Sequence, residues 1–105
     1  MRKFLLLAFI FLSACAPDFY RYNIDLGIKA AKLKLWKEAL YRFKRAVELK
    51  PTAEAYNNLA VAYEALGDFK RAEECYKKAL KLEPNNTKIR ANYAIFLELK
   101  KRRKK

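Results

Sequence analysis

Residues 36–51 read WKEALYRFKRAVELKP, and residues 69–84 read FKRAEECYKKALKLEP. The second stretch lies 33 residues after the first and repeats its aromatic, alanine, leucine and proline positions in the same order. Because proline breaks a helix, Pro51 and Pro84 mark the ends of equivalent helices. A recurrence at this period, in a chain with only 2 glycines, predicts stacked helical units rather than a turn-rich β-fold.

The segment that precedes each stretch completes the unit. In the second unit, residues 53–86, the apolar and proline positions are Tyr56, Leu59, Ala60, Tyr63, Ala72, Tyr76 and Pro84. This series resembles the tetratricopeptide repeat, whose pattern is W-x-x-L-G-x-x-Y, then A-x-x-x-F, then P. Residues 20–52 resemble the same repeat in their second helix and less in their first, where Asn23 and Ala30 replace large aromatic residues. Residues 87–105 resemble the first helix of a third unit, with matching positions at Tyr93, Ala94 and Leu97.

The resemblance implies an all-α fold, a right-handed helical-hairpin solenoid of two units plus a C-terminal helix, with five helices and no strands. Gly67 is expected to end a helix, because glycine accepts a positive φ without steric cost. On the final helix we expect Tyr93 and Leu97 to pack on the second unit, which leaves Ile95 and Leu99 on another face.

The first 14 residues, MRKFLLLAFIFLSA, have the three-part layout of a secretory signal peptide. Two basic residues precede an uninterrupted apolar run over residues 4–12, and two small residues follow it. A membrane-spanning helix needs roughly 20 apolar residues, about twice the length of this run. Residues 1–14 are therefore predicted to be a cleaved signal peptide. The competing interpretation is that they form a buried helix of the domain.

Residues 12–15, LSAC, resemble the lipobox of bacterial lipoproteins, in which the cysteine receives a diacylglycerol before cleavage. The resemblance implies a lipid on Cys15 and a short tether over residues 15–19. An ordinary A-x-A cleavage site at residues 14–16 is the alternative, but it would place Pro17 directly after the cut. In well-studied Gram-negative lipoproteins, aspartate directly after the cysteine retains the protein at the inner membrane. Because Ala16 occupies that position here, the resemblance implies a lipid-anchored protein of the cell envelope, on the outer membrane and facing the periplasm.

In the tetratricopeptide-repeat family, the first helices of successive units line a concave groove that binds a protein or peptide. The resemblance implies that this groove is lined here by Ile24, Ile28, Asn57, Asn58, Val61, Lys88, Asn92 and Ile95. Asn58 could hold an extended peptide, because a side-chain amide both donates and accepts hydrogen bonds. Alternatively, all of these are ordinary surface positions.

The formal net charge is +13, and the last six residues are all basic: Lys100, Lys101, Arg102, Arg103, Lys104 and Lys105. Such a tail can contact anionic lipid headgroups or cell-wall polymers, or it can be a frayed and solvated end. Nucleic acid is not expected as a partner, because the signal peptide directs the chain out of the cytoplasm.

The composition disfavours an enzyme. Histidine is absent and there are only 2 cysteines, so neither a His/Cys metal site nor a histidine-based triad is available. We expect no cofactor beyond the lipid on Cys15, and Cys75 is expected to pack as a small hydrophobic residue. The predicted function is a membrane-tethered protein-interaction adaptor for envelope, secretion or pilus assembly; the alternative is a protein that binds the envelope surface through its tail. Two units and one extra helix bury little apolar surface, which suggests a possible homodimer.

Overall fold

The structure is a computed structural model that describes residues 17–104. These residues form five helices and no strand, as predicted: α1 (Phe19–Lys32), α2 (Trp36–Leu49), α3 (Ala53–Ala65), α4 (Phe69–Leu82) and α5 (Thr87–Arg103). The predicted signal peptide, the predicted lipid attachment at Cys15 and the last tail residue, Lys105, lie outside the described residues. No helix between residues 17 and 104 is long and apolar enough to cross a bilayer.

Short turns fold the helices into hairpins. The most extensive packing is between α1 and α2 and between α3 and α4; α2 packs on α3 to join the two hairpins, and α5 packs on α4 over a smaller area. The first helices α1 and α3 also contact each other. The predicted all-α helical-hairpin solenoid is therefore confirmed.

Short polar side chains start four of the five described helices. Each accepts a hydrogen bond from the backbone N–H three residues later, which would otherwise lack a partner at the helix start. The four caps are Asp18, Thr52, Asp68 and Asn86, at N···O distances of 3.0–3.1 Å. Helix α2 begins after Leu35, which provides no side-chain cap.

The turns inside the two hairpins need a residue with positive φ. In the second hairpin Gly67 takes this role with φ 83°, as predicted from the sequence. In the first hairpin the residue 33 positions earlier is Lys34, which has φ 60°. The left-handed conformation disfavours a residue with a Cβ, so the first turn is the more strained of the two.

In the first hairpin, α1 approaches α2 closely at Gly27. A Cβ built on Gly27 would lie 2.4–2.9 Å from three ring carbons of Phe43, so only glycine fits here without movement of that ring. Asn23, in the place of a large aromatic residue, is buried and its amide group is satisfied. It donates to the carbonyl oxygen of Phe19 at 2.8 Å and accepts from the Arg42 guanidinium at 3.4 Å.

Aromatic rings hold α5 on the second hairpin. The ring centroid of Phe96 lies 5.8 Å from that of Phe69 and 5.4 Å from that of Tyr76, and Tyr93 stacks on Tyr76 at 5.6 Å. Phe96 is fully buried, whereas Leu97 is 39% exposed. The packing prediction was therefore right for Tyr93 and wrong for Leu97, because Phe96 rather than Leu97 faces α4 beside Tyr93.

Candidate protein-binding groove

Helices α1, α3 and α5 lie side by side, so that their equivalent residues form rows. The Arg21 guanidinium binds both carboxylate oxygens of Glu54 at 3.0 and 3.1 Å and thereby joins α1 to α3. The side-chain amide of Asn92 donates to that of Asn57 at 3.2 Å and joins α5 to α3. Residues 17–104 therefore have a continuous face built from the first helix of each unit.

Six residues predicted to line a groove are accessible on this face. Ile28, Asn58, Val61 and Asn92 are half-buried, and Lys88 and Ile95 are exposed. Ile95, at 59% exposed, is the most accessible apolar side chain of this set. Apolar side chains interleaved with amides provide hydrophobic contact together with hydrogen-bond donors and acceptors, which is what an extended peptide or a partner helix requires.

Two residues predicted for the groove are buried instead. Ile24 is 0% exposed and Asn57 is 4% exposed, so neither can contact a partner in this conformation. Both lie on the side of their helix that meets the first helix of the next unit. Ala91, which has the same place in α5, is exposed, because no further helix packs beside it within residues 17–104. The correction is that Ile24 and Asn57 join the helices, with the amide of Asn57 bonded to Asn92.

A row of charges runs along one rim of this face. Bonded to Arg21, Glu54 has a pKa below its usual range, and the nearby Lys88 contributes in the same direction. The same ion pair raises the pKa of Arg21. Because both side chains are nearly half exposed, the pair adds little to stability. Its effect is to fix two long side chains at the groove rim, a pairing that the sequence pattern did not predict.

The exposed apolar strip extends one turn beyond the predicted groove residues. Leu99 is four residues after Ile95, on the same side of α5, and is 41% exposed. The sequence pattern predicted its exposure but did not assign it to the groove. A signal for that assignment was available, since a spacing of four residues places two side chains on one helix face.

The basic end of α5 is only partly free. The Lys100 ammonium donates to Glu73 on α4, and the Arg103 guanidinium lies 4.6 Å from the ring centroid of Phe69. Lys100 belongs to the α4–α5 interface, so the prediction that it contacts an anionic surface is corrected, whereas Arg103 remains exposed beside the Phe69 ring. Lys101, Arg102 and Lys104 are exposed.

Little in the described chain suggests chemistry beyond binding. No cluster of residues that could hold a metal ion occurs within residues 17–104. Cys75 is a free thiol with 7% of its surface exposed, and burial raises its pKa to about 11. A thiol of this kind is protonated at neutral pH and therefore a poor nucleophile.

Comparison with known proteins agrees with this geometry. Residues 53–86 match the family described as tetratricopeptide repeat. The chain is similar to the Hsp70-Hsp90 organizing protein of Triticum aestivum, with 37% identity over 77% of this chain and 14% of that protein. It is also similar to a mitochondrial import receptor subunit of Saccharomyces cerevisiae, with 34% identity over 62% of this chain and 10% of that protein.

A third similarity covers more of the relative. A photosystem I assembly protein of a Synechococcus strain is 30% identical over 83% of this chain and 52% of its own length. The chain thus spans about half of this relative and a much smaller share of the other two. Together, the family match and these similarities support tetratricopeptide-type repeats in the described helices.

Proposed function

We propose that this tetratricopeptide-repeat protein is a membrane-tethered adaptor of the bacterial cell envelope, with no enzymatic activity, which binds a protein partner on the face shared by α1, α3 and α5. The observation that carries the proposal is the continuous, accessible strip formed by Ile28, Val61 and Ile95, with amide side chains beside it. The names of the relatives refer to organizing other proteins, to a receptor subunit and to an assembly protein, which is consistent with a binding role.

Membrane tethering rests on the signal-peptide pattern and the LSAC sequence at residues 12–15. One acyl chain gives only marginal membrane binding, whereas two or three chains on Cys15 would anchor the protein stably. We place the anchor at the outer membrane, facing the periplasm, because Ala16 rather than aspartate follows the cysteine. Envelope, secretion and pilus assembly are the processes that we propose such an adaptor would serve.

The groove is tested by capture of partners on the immobilised full chain. The double variant Val61→Arg/Ile95→Glu places charges on the accessible strip, where apolar contact is expected to contribute most of the affinity. Leu82→Glu is the matched control, since Leu82 is exposed on the outer helix α4. We expect a partner captured from envelope extract to be lost with the double variant and retained with the control. Equal capture by both variants would refute the groove.

The anchor is tested separately by mass spectrometry. Wild-type protein is expected to carry an acylated Cys15 at its N-terminus, and Cys15→Ser is expected to accumulate as an unprocessed precursor or a soluble product. Wild-type protein without acyl mass on Cys15 would remove the membrane part of the proposal and leave the groove untouched.

The alternative function, binding to anionic lipid or cell wall, rests on the basic tail, in which Lys101, Arg102, Arg103 and Lys104 are exposed. It differs from the adaptor in salt dependence, because contacts between exposed charges weaken as salt screens them. Binding of the full chain to anionic vesicles or cell wall that disappears with Lys101→Glu/Lys104→Glu would favour this alternative.

A further inference from the structure

Helix α5 has a face that no helix covers within residues 17–104. In the two complete hairpins, the equivalent face of the first helix is covered by the second helix. Ile89 and Phe96 are buried on α5, as are Ala55 and Ala62 on α3, 34 residues earlier. This correspondence fixes the register between the two helices. It shows that α5 packs on the preceding unit with the same side of the helix that α3 uses.

This register identifies the positions on α5 that correspond to those covered by α4 on α3. Ala60 is 0% exposed and Tyr63 is 9% exposed in the core that the two hairpins share. Their equivalents on α5 are Ala94 and Leu97, and both are exposed. No helix within residues 17–104 occupies, on α5, the position that α4 occupies on α3.

The uncovered surface is a shallow pocket of about 350 Å³, which we call the α5 outer face. It is lined by Ala94, Leu97, Glu98, Lys100, Lys101 and Lys104. It lies on the opposite side of α5 from Ile95 and is therefore separate from the groove.

The repeat geometry indicates which shape fits this face. The helices that cover α1 and α3 are antiparallel to them and amphipathic. On its buried side, each covering helix has an alanine and, four residues later, an aromatic side chain. These residues are Ala39 and Phe43 on α2, and Ala72 and Tyr76 on α4. A small residue lets the helices approach closely, and the aromatic ring fills the space beside it.

The charges indicate the chemistry of the occupant. Lys101 and Lys104 border the pocket near the C-terminus of α5, where an antiparallel helix would have its first turn; the acidic lining residue, Glu98, is one turn earlier, with its carboxylate 3.9 Å from Nε of Arg102. Acidic residues are favourable in the first turn of a helix, and here they would also face two ammonium groups. A second copy of this chain would be less favourable, because like charges repel. If its α5 packed antiparallel on this face, Lys88 and Arg90 would meet these lysines, and if it packed parallel, its basic tail would meet them.

We propose that the α5 outer face is a second binding site, which takes an acidic amphipathic helix of a partner protein in the position that α4 occupies on α3. This inference goes beyond the adaptor groove, because the two sites lie on different sides of α5 and bind independently. Leu97 and Ala94 provide the apolar contact, and Lys101 and Lys104 select for acidic residues.

The probe is a blocked, fluorescent peptide with the α4 sequence, residues 69–82, in which all five basic residues are replaced with glutamate and Cys75 with alanine. The control peptide keeps the original lysines and arginine. Binding is measured by anisotropy with the full chain in mild detergent. We expect saturable binding of the acidic peptide and at least about tenfold weaker binding of the basic one, because charge complementarity distinguishes them.

Variants of the protein then locate the site. Leu97→Glu is expected to weaken binding of the acidic peptide by at least about tenfold, because it replaces apolar contact with like charge. Ile95→Glu is the matched control on the groove side of the same helix and should leave this affinity unchanged. Lys101→Glu/Lys104→Glu should invert the preference between the two peptides.

Each contrary result overturns the inference. Absence of saturable binding up to about 1 mM peptide would mean that the face has no useful affinity for such a helix. Equal effects of Leu97→Glu and Ile95→Glu would place the peptide elsewhere.

A dimer in sedimentation that Leu97→Glu dissociates would identify a second copy as the occupant. Loss of anionic-vesicle binding in Lys101→Glu/Lys104→Glu, with peptide binding unchanged, would assign the lysines to a lipid surface. A failure of the proposed groove is detected separately, by partner capture with Val61→Arg/Ile95→Glu.

Discussion

At the scale of single residues, Gly27 is the clearest point at which the close approach of two helices determines the residue. Glycine in a helix interior usually lowers stability by up to about 1 kcal/mol relative to alanine. Here we expect Gly27→Ala to destabilise the protein by about 1–3 kcal/mol, because the new Cβ would overlap the Phe43 ring. Urea denaturation followed by circular dichroism measures the change.

The control for this prediction removes the ring. In a Phe43→Leu background, Gly27→Ala should cost less, because the overlapping atoms are absent. If Gly27→Ala stabilises the protein in both the wild-type and the Phe43→Leu background, α1 and α2 do not approach each other closely at Gly27.

Cys75 allows a second test at this scale. Burial is the main cause that raises the pKa of this thiol to about 11, so the thiol is protonated at pH 8. Its neighbours also cover it, with 7% of the residue exposed. Iodoacetamide should therefore alkylate Cys75 in the folded chain at least about 100-fold more slowly than in guanidinium, as resolved by peptide mapping. Similar rates in the two conditions would contradict the buried, structural role that the sequence predicted for this cysteine.

Single residues also mark the limit of the sequence argument. Asn58 and Val61 are on an accessible face, as predicted, but Ile24 and Asn57 are buried. The repeat pattern gives the position of a residue around its helix. Whether the next helix covers that position depends on the packing between units, which one sequence does not specify.

At the scale of elements, the recurrence of alanine, aromatic and proline residues was enough to predict four paired helices and a fifth. The sequence predicted the wrong contact residue on α5, because the repeat pattern marks positions that face the helix's own hairpin partner. Leu97 occupies such a position, but within the described residues α5 packs only on the preceding unit, through side chains that include Tyr93 and Phe96. The exposed Leu97 is thus an error that points to the α5 outer face.

The α4–α5 interface is expected to depend on pH through Glu73. The hydrogen bond from Lys100 lowers the pKa of this carboxyl below its ordinary value of 4.5. A group with a lowered folded-state pKa contributes stability above its unfolded pKa, and that stability is lost as the pH falls through the folded one. Above pH 5 the ion pair should therefore stabilise α5 fully, and in strong acid it should not.

The variant Lys100→Met measures this contribution. Because both side chains are partly exposed, we expect a loss of about 0.5–1 kcal/mol in unfolding free energy at pH 7, which shrinks as the pH falls below 4.5. Lys101→Met is the matched control and should change stability little at any pH. A loss that is the same at pH 7 and at acid pH would assign the effect to packing of the lysine stem instead of the ion pair.

At the scale of the whole molecule, five helices bring side chains from distant parts of the sequence onto one face. Ile28, Val61 and Ile95 are separated by about one repeat each, and together they provide an accessible apolar strip that no single helix contains. The resemblance to the tetratricopeptide repeat implied this strip, because the first helices of successive units line a groove in that family. It did not predict the charge row at the rim, because the Arg21–Glu54 pair forms between helices 33 residues apart.

Site-specific photo-crosslinking in the native host tests the groove most directly. A benzoylphenylalanine in place of Val61 faces the accessible strip, and the same group in place of Leu82 lies on the outer helix α4. We predict that illumination yields a specific adduct between a partner protein and the chain labelled at position 61, with none from position 82. Adducts from position 82 alone, or none from position 61 while the protein is folded and present, would contradict a protein-binding groove on α1, α3 and α5.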